Sequence, residues 1–407
     1  MWYRAGIPAM AREGVWWGLV RPEITGFDVK STELSPLSNH HYVDTQSELE
    51  SLARRLRGAP RVSIDTEADS LHHYRAKVCL VQLTIEGEDF IVDPLVGLDL
   101  APLLDVLAKQ TLVAHAGDYD LRMMRQSFGF RPRGRVFDTM LAAQLLGHEE
   151  LSLVAVVGRY LGVTLSKKGQ KSDWAQRPLT DAQKAYACAD THYLEPLACH
   201  LEQSLGVKGR LEWHRESCER MVASTAAEAV RDPEWAWRIR GSGALTSRQQ
   251  AFLRALWTWR EREAERTDRP SFKIMPNQWI IDLAVWAEGH PGAALSGGPP
   301  LPRNCTGQRL AALREALDEA RCLPKSQWPG RPPRTNAHRP CPCEERLKAL
   351  QEACERVANE IGLAPSMVAP RANLAAIACS PLQSRHDIMA LGSLMHWQAA
   401  LLEAAIL

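Results

Sequence analysis

The stretch VSIDTEADSL, Val62 to Leu71, sets Asp65 and Glu67 two positions apart directly after the strand-like run RVSI. Alternate side chains of a strand share a face, so both carboxylates point the same way, a few ångströms apart. Like charges that close repel unless water or a cation sits between them. Two further acids stand where they can join the pair. Asp120, in LVAHAGDYDLRMM, follows a strand-like run and falls in the first turn of a helix. In LTDAQKAYACADTHYLEPL, Thr180 and Gln183 form a capping-box pattern that starts a helix, and Tyr186 and Asp190 then share one face. Taken singly, each has a plainer reading: a solvated strand edge, a helix-dipole partner, a half-buried core tyrosine. It is their joint occurrence that points to a site. Hard oxygen donors without His or Cys suit Mg²⁺ or Mn²⁺ rather than zinc or copper.

The elements that must position these groups can be read from periodicity. From His41 to about residue 205, strand-like segments (HYVDT, RVSIDTE, KVCLVQLTI, DFIVDP, TLVAHA) alternate with helical ones (SELESLARRL, LAPLLDVLA, DYDLRMMRQSF). That alternation predicts an α/β layer fold with a mixed sheet. Beyond it the strand signals vanish. SRQQAFLRALWTWREREAERTD puts Phe252, Leu253, Leu256 and Trp257 on one helical stripe, and RLKALQEACERVANEIG does the same with Leu347, Leu350, Cys354, Val357 and Ile361. A similar phrase follows each helix, Pro270-Ser271-Phe272 before KIMP and Pro365-Ser366-Met367 before VAP, which marks an internal duplication. The expected organisation is a poorly ordered extension (1–40), an α/β domain (41–205), a connecting helical segment (206–242), a first small helical domain (243–322), a Pro/Arg-rich linker (323–342) and a second helical domain (343–407).

IDTEADSL, HAGDYDLRMM and YACADTHYLEPL resemble the three exonuclease motifs of the DEDD superfamily, in the subclass with a tyrosine in the third motif. KGQKSDWAQRPLTDAQKAYACAD is similar to the approach to that motif in the ribonuclease D family, and the two helical repeats resemble the helicase-and-RNase-D C-terminal (HRDC) domains that follow the nuclease there. The resemblance implies a ribonuclease H-like exonuclease domain, a mixed sheet flanked by helices, followed by two small all-α HRDC-like domains. It implies that Asp65, Glu67, Asp120 and Asp190 hold two Mg²⁺ or Mn²⁺ ions, Asp65 bridging them, and that Tyr186 orients the attacking water and helps its deprotonation. Asp118 is a rival to Asp120, whose spacing, directly before Leu121, matches the family better. The implied activity is 3′→5′ removal of nucleotides as 5′-monophosphates from RNA with a free 3′ end, tRNA precursors included. A DNA exonuclease of the same superfamily and a non-catalytic RNA-binding adaptor are the alternatives.

With 45% apolar residues, 24% charged and a net charge of +1, the chain reads as globular and not as a general polyanion binder. A charged substrate must then be met by local clusters. Arg122, Arg125, Arg131, Arg133 and Arg135 form one, and Lys167, Lys168, Lys171 and Arg177 form another beside the third motif; of these, Arg122 and the second group are the expected phosphate contacts. Ten cysteines without a paired framework, no secretory signal and a C-terminal apolar run interrupted by His396, Gln398 and Glu403 predict a cytoplasmic chain that spans no membrane, read as a monomer. His338, Cys341 and Cys343 lack the second knuckle that a zinc site needs.

Overall fold

A computed structural model of the chain describes residues 40–226, 233–330, 344–379 and 384–406. The expected N-terminal extension except His40, the linker from residue 331 onward, and the His338/Cys341/Cys343 group lie outside the described residues. The first half runs β1 (His40–Val43), α1 (Gln46–Leu56), β2 (Val62–Ala68), β3 (Val78–Ile85), β4 (Glu88–Val92), α2 (Ala101–Leu107), β5 (Leu112–Ala114), α3 (Asp118–Phe128), β6 (Val136–Asp138), α4 (Thr139–Leu146), α5 (Leu153–Leu161), α6 (Asp181–His192), α7 (Leu194–Val207) and α8 (Leu211–Ala226).

The six strands form one sheet in the order β1-β4-β3-β2-β5-β6. β3 is antiparallel to both neighbours and the other pairings are parallel, which makes the sheet mixed, as the alternation predicts. β3, VCLVQLTI, is buried along its whole length, and such a run needs cover on both faces. On one face Ile64 and Leu83 meet Leu49, Leu52, Leu103 and Met124 of α1 to α3. On the other, Leu80 and Ile91 meet Trp174 and Ala187, so that α6 lies across β2, β3 and β4. The capping box predicted at Thr180 and Gln183 starts α6, and Thr45 with Glu48 starts α1 the same way.

The second half is helical: α9 (Pro233–Ala236), α10 (Ser247–Arg266), α11 (Ser271–Ile274), α12 (Asn277–Gly289), α13 (Gly307–Cys322), α14 (Glu344–Ile361), α15 (Pro365–Val368), α16 (Arg371–Ala378), α17 (Arg385–Gly392) and α18 (His396–Ile406). α10 to α13 share one core and α14 to α18 another. Phe252, Leu253 and Leu256 are buried as their spacing predicts; the stripe then passes to Trp259, and Trp257 stays at its margin. The duplication is visible in the backbone. Met275, after α11, has φ −157 and ψ 124, and Ala369, after α15, has φ −156 and ψ 123. In each copy the next helix then begins after a proline, Pro276 or Pro370.

The two helical units meet the sheet domain differently. Leu363 and Trp397 of the second are part of one apolar core with Leu145, Val157 and Leu201. The first touches the loop between β2 and β3: the Tyr74 side chain packs against its core, Asp268 accepts from Tyr74 N and pairs with His73, and Arg75 pairs with Glu265. No helix among the described residues is long and apolar enough to cross a membrane.

Candidate active site

β2 delivers the first two carboxylates. Asp65 faces Gln82 across the β2–β3 pairing and Glu67 faces Leu80, so both point to the side that α6 covers; the register slips between Glu67 and Ala68, a bulge that turns the strand end. α6 brings Asp190 to them. Carboxylate oxygens of Asp65, Glu67 and Asp190 all lie within 4.8 Å of one another. Asp120 takes a different route. Thr66, pointing to the opposite face from its two acidic neighbours, donates from Oγ1 to Asp120 Oδ1 at 2.6 Å. Asp120 is therefore held beside the trio and not within it, still close enough to raise the proton affinity of Asp65 and Glu67.

Burial and mutual repulsion set the electrostatics. Burial first, then Asp120, Asp190 and Glu67, lift the Asp65 carboxyl well above the usual carboxylate range. Glu67 is pushed up to about 9 by burial and by Asp190 and Asp120. Burial raises Asp190 to about 7, against the Tyr186 contact that lowers it, and Asp120 to about 6, against its bond from Thr66. Four acids that hold protons this firmly lack a positive partner. Gln82, fully buried next to Asp65 in register, has no partner among the described residues for either end of its amide. Crowded carboxylates and an orphaned amide on one face suit hydrated hard cations, so the donor set fits the divalent ions expected from the sequence.

Asp118, the rival second-motif acid, faces away and pairs with Arg122 at 2.8 Å. The pairing also occupies Arg122, one of the expected phosphate contacts. Arg177 calls for a clearer correction. Its guanidinium bonds both oxygens of buried Asp93 and the carbonyls of Cys79, Trp174 and Gln176, which uses all five of its N–H groups. It ties the loop before α6 to β3 and β4 and has no donor left for a phosphate. Arg131, Arg133 and Arg135 follow the C-terminal end of α3 at Phe128, whereas Asp120 stands in its first turn, about 12 Å of helix away. Lys167, Lys168 and Lys171 are exposed and carry no ion pair among the described residues.

Those lysines sit on a loop that presses on Tyr186. Gly169 has φ +128, and a Cβ there would lie 2.7 Å from Tyr186 Cγ. Trp174 supports the ring from another side, centroids 6.0 Å apart. Gly169→Ala is expected to displace the ring or the loop and to lower kcat about tenfold, since a strained backbone and a 2.7 Å contact must both relax. Single-turnover kinetics on RNA would measure it; an unchanged rate would show that the loop does not set the tyrosine.

Asp138 is a residue the sequence reading missed. Buried at the end of β6, it accepts from Leu141 N at the start of α4 and from Gly117 N ahead of α3, both at 2.8 Å. One carboxylate thus fixes the turn that aims Asp120. Its signal was the Asp-Thr pair at a strand end, an N-cap pattern in VFDTM.

A 3′-5′ exonuclease family model matches residues 40–206, and an HRDC domain model matches residues 249–289. The chain is 33% identical to ribonuclease D of Gluconacetobacter diazotrophicus, over 83% of this chain and 86% of that one. It is 31% identical to ribonuclease D of Escherichia coli, over 72% of this chain and 77% of that one. The crystal structure of Escherichia coli RNase D, an exoribonuclease involved in structured RNA processing, superposes with a TM-score of 0.67 at 26% identity, covering 90% of this chain and 99% of that one.

Proposed function

The chain belongs to the ribonuclease D family of 3′→5′ exoribonucleases, and we propose that it trims the 3′ ends of stable RNAs, tRNA precursors among them, by cation-assisted hydrolysis that releases 5′-monophosphates. The observation that carries this reading is the convergence of Asp65, Glu67 and Asp190 within 4.8 Å on one sheet face, with Asp120 beside them. Asp65, Glu67 and Asp190 would hold one divalent cation, and Asp65 with Asp120 a second. Bound there, the cations supply positive charge to the scissile phosphate and the leaving 3′ oxygen and acidify the attacking water.

The remaining work falls to the chain's own groups. Burial, then the charges of Asp190 and Glu67, raise the proton affinity of the Tyr186 phenol while the acids carry no cation; beside the loaded site the phenol orients the attacking water by hydrogen bonding and helps its deprotonation. Thr66 fixes the Asp120 carboxylate at 2.6 Å so that the acid need not reorganise during reaction. Lys167, Lys168 and Lys171 meet the substrate's phosphates next to Tyr186. We place the protein in the cytoplasm, acting as a monomer.

The test is a 5′-labelled tRNA-like RNA with a 3′ extension, and DNA of the same sequence, incubated in Mg²⁺ or EDTA. A descending ladder on RNA that disappears in EDTA, with mononucleotides bearing 5′-phosphates, is the expected result. Products bearing 3′-phosphates would exclude the proposed bond cleavage, degradation of DNA alone would move the substrate, and intact RNA that still binds would mark an adaptor.

A further inference from the structure

The arginines at the end of α10 are not accounted for by the nuclease site. Arg266, Thr267, Arg269, Asn304, Thr306, Gln308 and Arg309 line an open cavity of about 580 Å³ in the first helical unit. No acid lies among the lining residues. Behind them Glu263, nearly buried, spends both carboxylate oxygens on Arg266, and one of these also accepts from Arg309 Nε at 3.1 Å. Those bonds hold Glu263 below its ordinary carboxyl value, so it remains charged and keeps two guanidiniums in place. Arg266 Nη1 and Arg309 Nη2 have no protein acceptor among the described residues, and Arg269 is exposed and bears no ion pair. Three cations and neutral hydrogen-bonding side chains around one opening are the chemistry of a phosphate site.

Its place in the molecule says whose phosphate. Asp268 lies between two cavity residues, Thr267 and Arg269, and bonds His73 and Tyr74 of the loop that leaves β2 after Glu67. Five residues lie between Glu67 and His73, so at most about 20 Å of extended chain separates them. Phe272, three residues past Arg269, is half exposed, an aromatic surface of the kind on which unpaired bases stack. Asn304, Thr306, Gln308 and Arg309, four of the seven lining residues, fall outside the matched HRDC segment 249–289.

We propose that the Arg266–Arg269–Arg309 cavity binds a backbone phosphate of the RNA upstream of its 3′ end, anchoring the strand beside the nuclease site. This rests on the exoribonuclease reading for the identity of the ligand. The test is binding of a fluorescent 20-nucleotide RNA to the full-length chain in EDTA, across a salt series, with Arg269→Glu and, as a control for general charge, Arg262→Glu on the same helix outside the cavity. Arg269→Glu is expected to weaken binding about tenfold and to flatten the salt slope by about 0.7 per lost contact, with Arg262→Glu within about twofold of wild type. Equal effects of the two substitutions, or none, would overturn the proposal. So would protection of wild type but not Arg269→Glu by 5′-AMP alone with RNA binding unchanged, which would mark a mononucleotide site. Melting curves check that the variants fold, as the exposed Arg269 side chain predicts. Because binding is read in EDTA, a wild type that fails to degrade RNA in Mg²⁺ sinks the nuclease reading separately.

Discussion

In EDTA, Asp65→Asn is expected to melt at a higher temperature than the wild type, and in Mg²⁺ to degrade RNA about 10³-fold more slowly. Both effects come from one cause. Asp65 sits where burial and three neighbouring acids all disfavour its charge. An amide of the same shape removes that repulsion, which stabilises the cation-free protein by roughly 1–3 kcal/mol, and removes a shared cation ligand at the same stroke. The pH dependence follows. Each acid binds its proton more tightly folded than unfolded, so its contribution to stability is fully present below the ordinary carboxylate range. It is lost as pH rises through about 6 for Asp120, about 7 for Asp190 and about 9 for Glu67. The wild type in EDTA should thus be more stable near pH 5 than near pH 9, the substitution should shrink that difference, and Mg²⁺ should restore stability chiefly at the alkaline end. Thermal melts at several pH values with and without Mg²⁺ measure all three. A lower melting temperature for the variant in EDTA would mean that Asp65 is a satisfied structural partner.

Much of this site was legible in the sequence because short-range periodicity dictates it. Strand alternation puts Asp65 and Glu67 on one face, and the capping box at Thr180 fixes the register that puts Tyr186 and Asp190 together on α6. What sequence spacing does not contain is the partner of a long side chain. Arg177 and Lys171 look alike in KKGQKSDWAQR, yet one is spent on Asp93, 84 residues away, and the other is exposed. The same limit applies to Asp118 and Asp120: only the fold shows that Thr66 reaches one and Arg122 the other. β6 was missed because three strand residues, VFD, are too few to show a period.

Trp397→Ala in the second helical unit is expected to destabilise the whole chain by about 3–5 kcal/mol, a loss read by chemical denaturation with both unfolding and nuclease activity as probes. Trp397 is 3% exposed and stacks on Trp213 of α8 at 4.9 Å, with the ring planes 12° apart. Around it the seam is closed by directional bonds. Glu216 of α8 accepts from the backbone N–H groups of His396 and Trp397 at the start of α18, and buried Arg210 donates to Leu145 at the end of α4 and to Ile361 at the end of α14. Gly147, φ +88, lets those two helix ends approach: a Cβ there would lie 2.4 Å from the Gly362 oxygen. The first helical unit is held to the nuclease by less, since beyond Tyr74, which packs against its core, the contacts are the solvent-screened pairs Arg75–Glu265 and His73–Asp268. The second unit is therefore part of the folded body of the nuclease, and the first is the one free to be tuned for substrate. Deleting residues 243–407 as a block would uncover Leu145, Leu201 and Trp213 along with any RNA-binding surface. A loss of RNA binding after that deletion would report unfolding as readily as recognition, which is why point substitutions such as Arg269→Glu separate the two. A Trp397→Ala protein as stable as the wild type, or one that unfolds in two separate steps, would instead make the second unit an independent module.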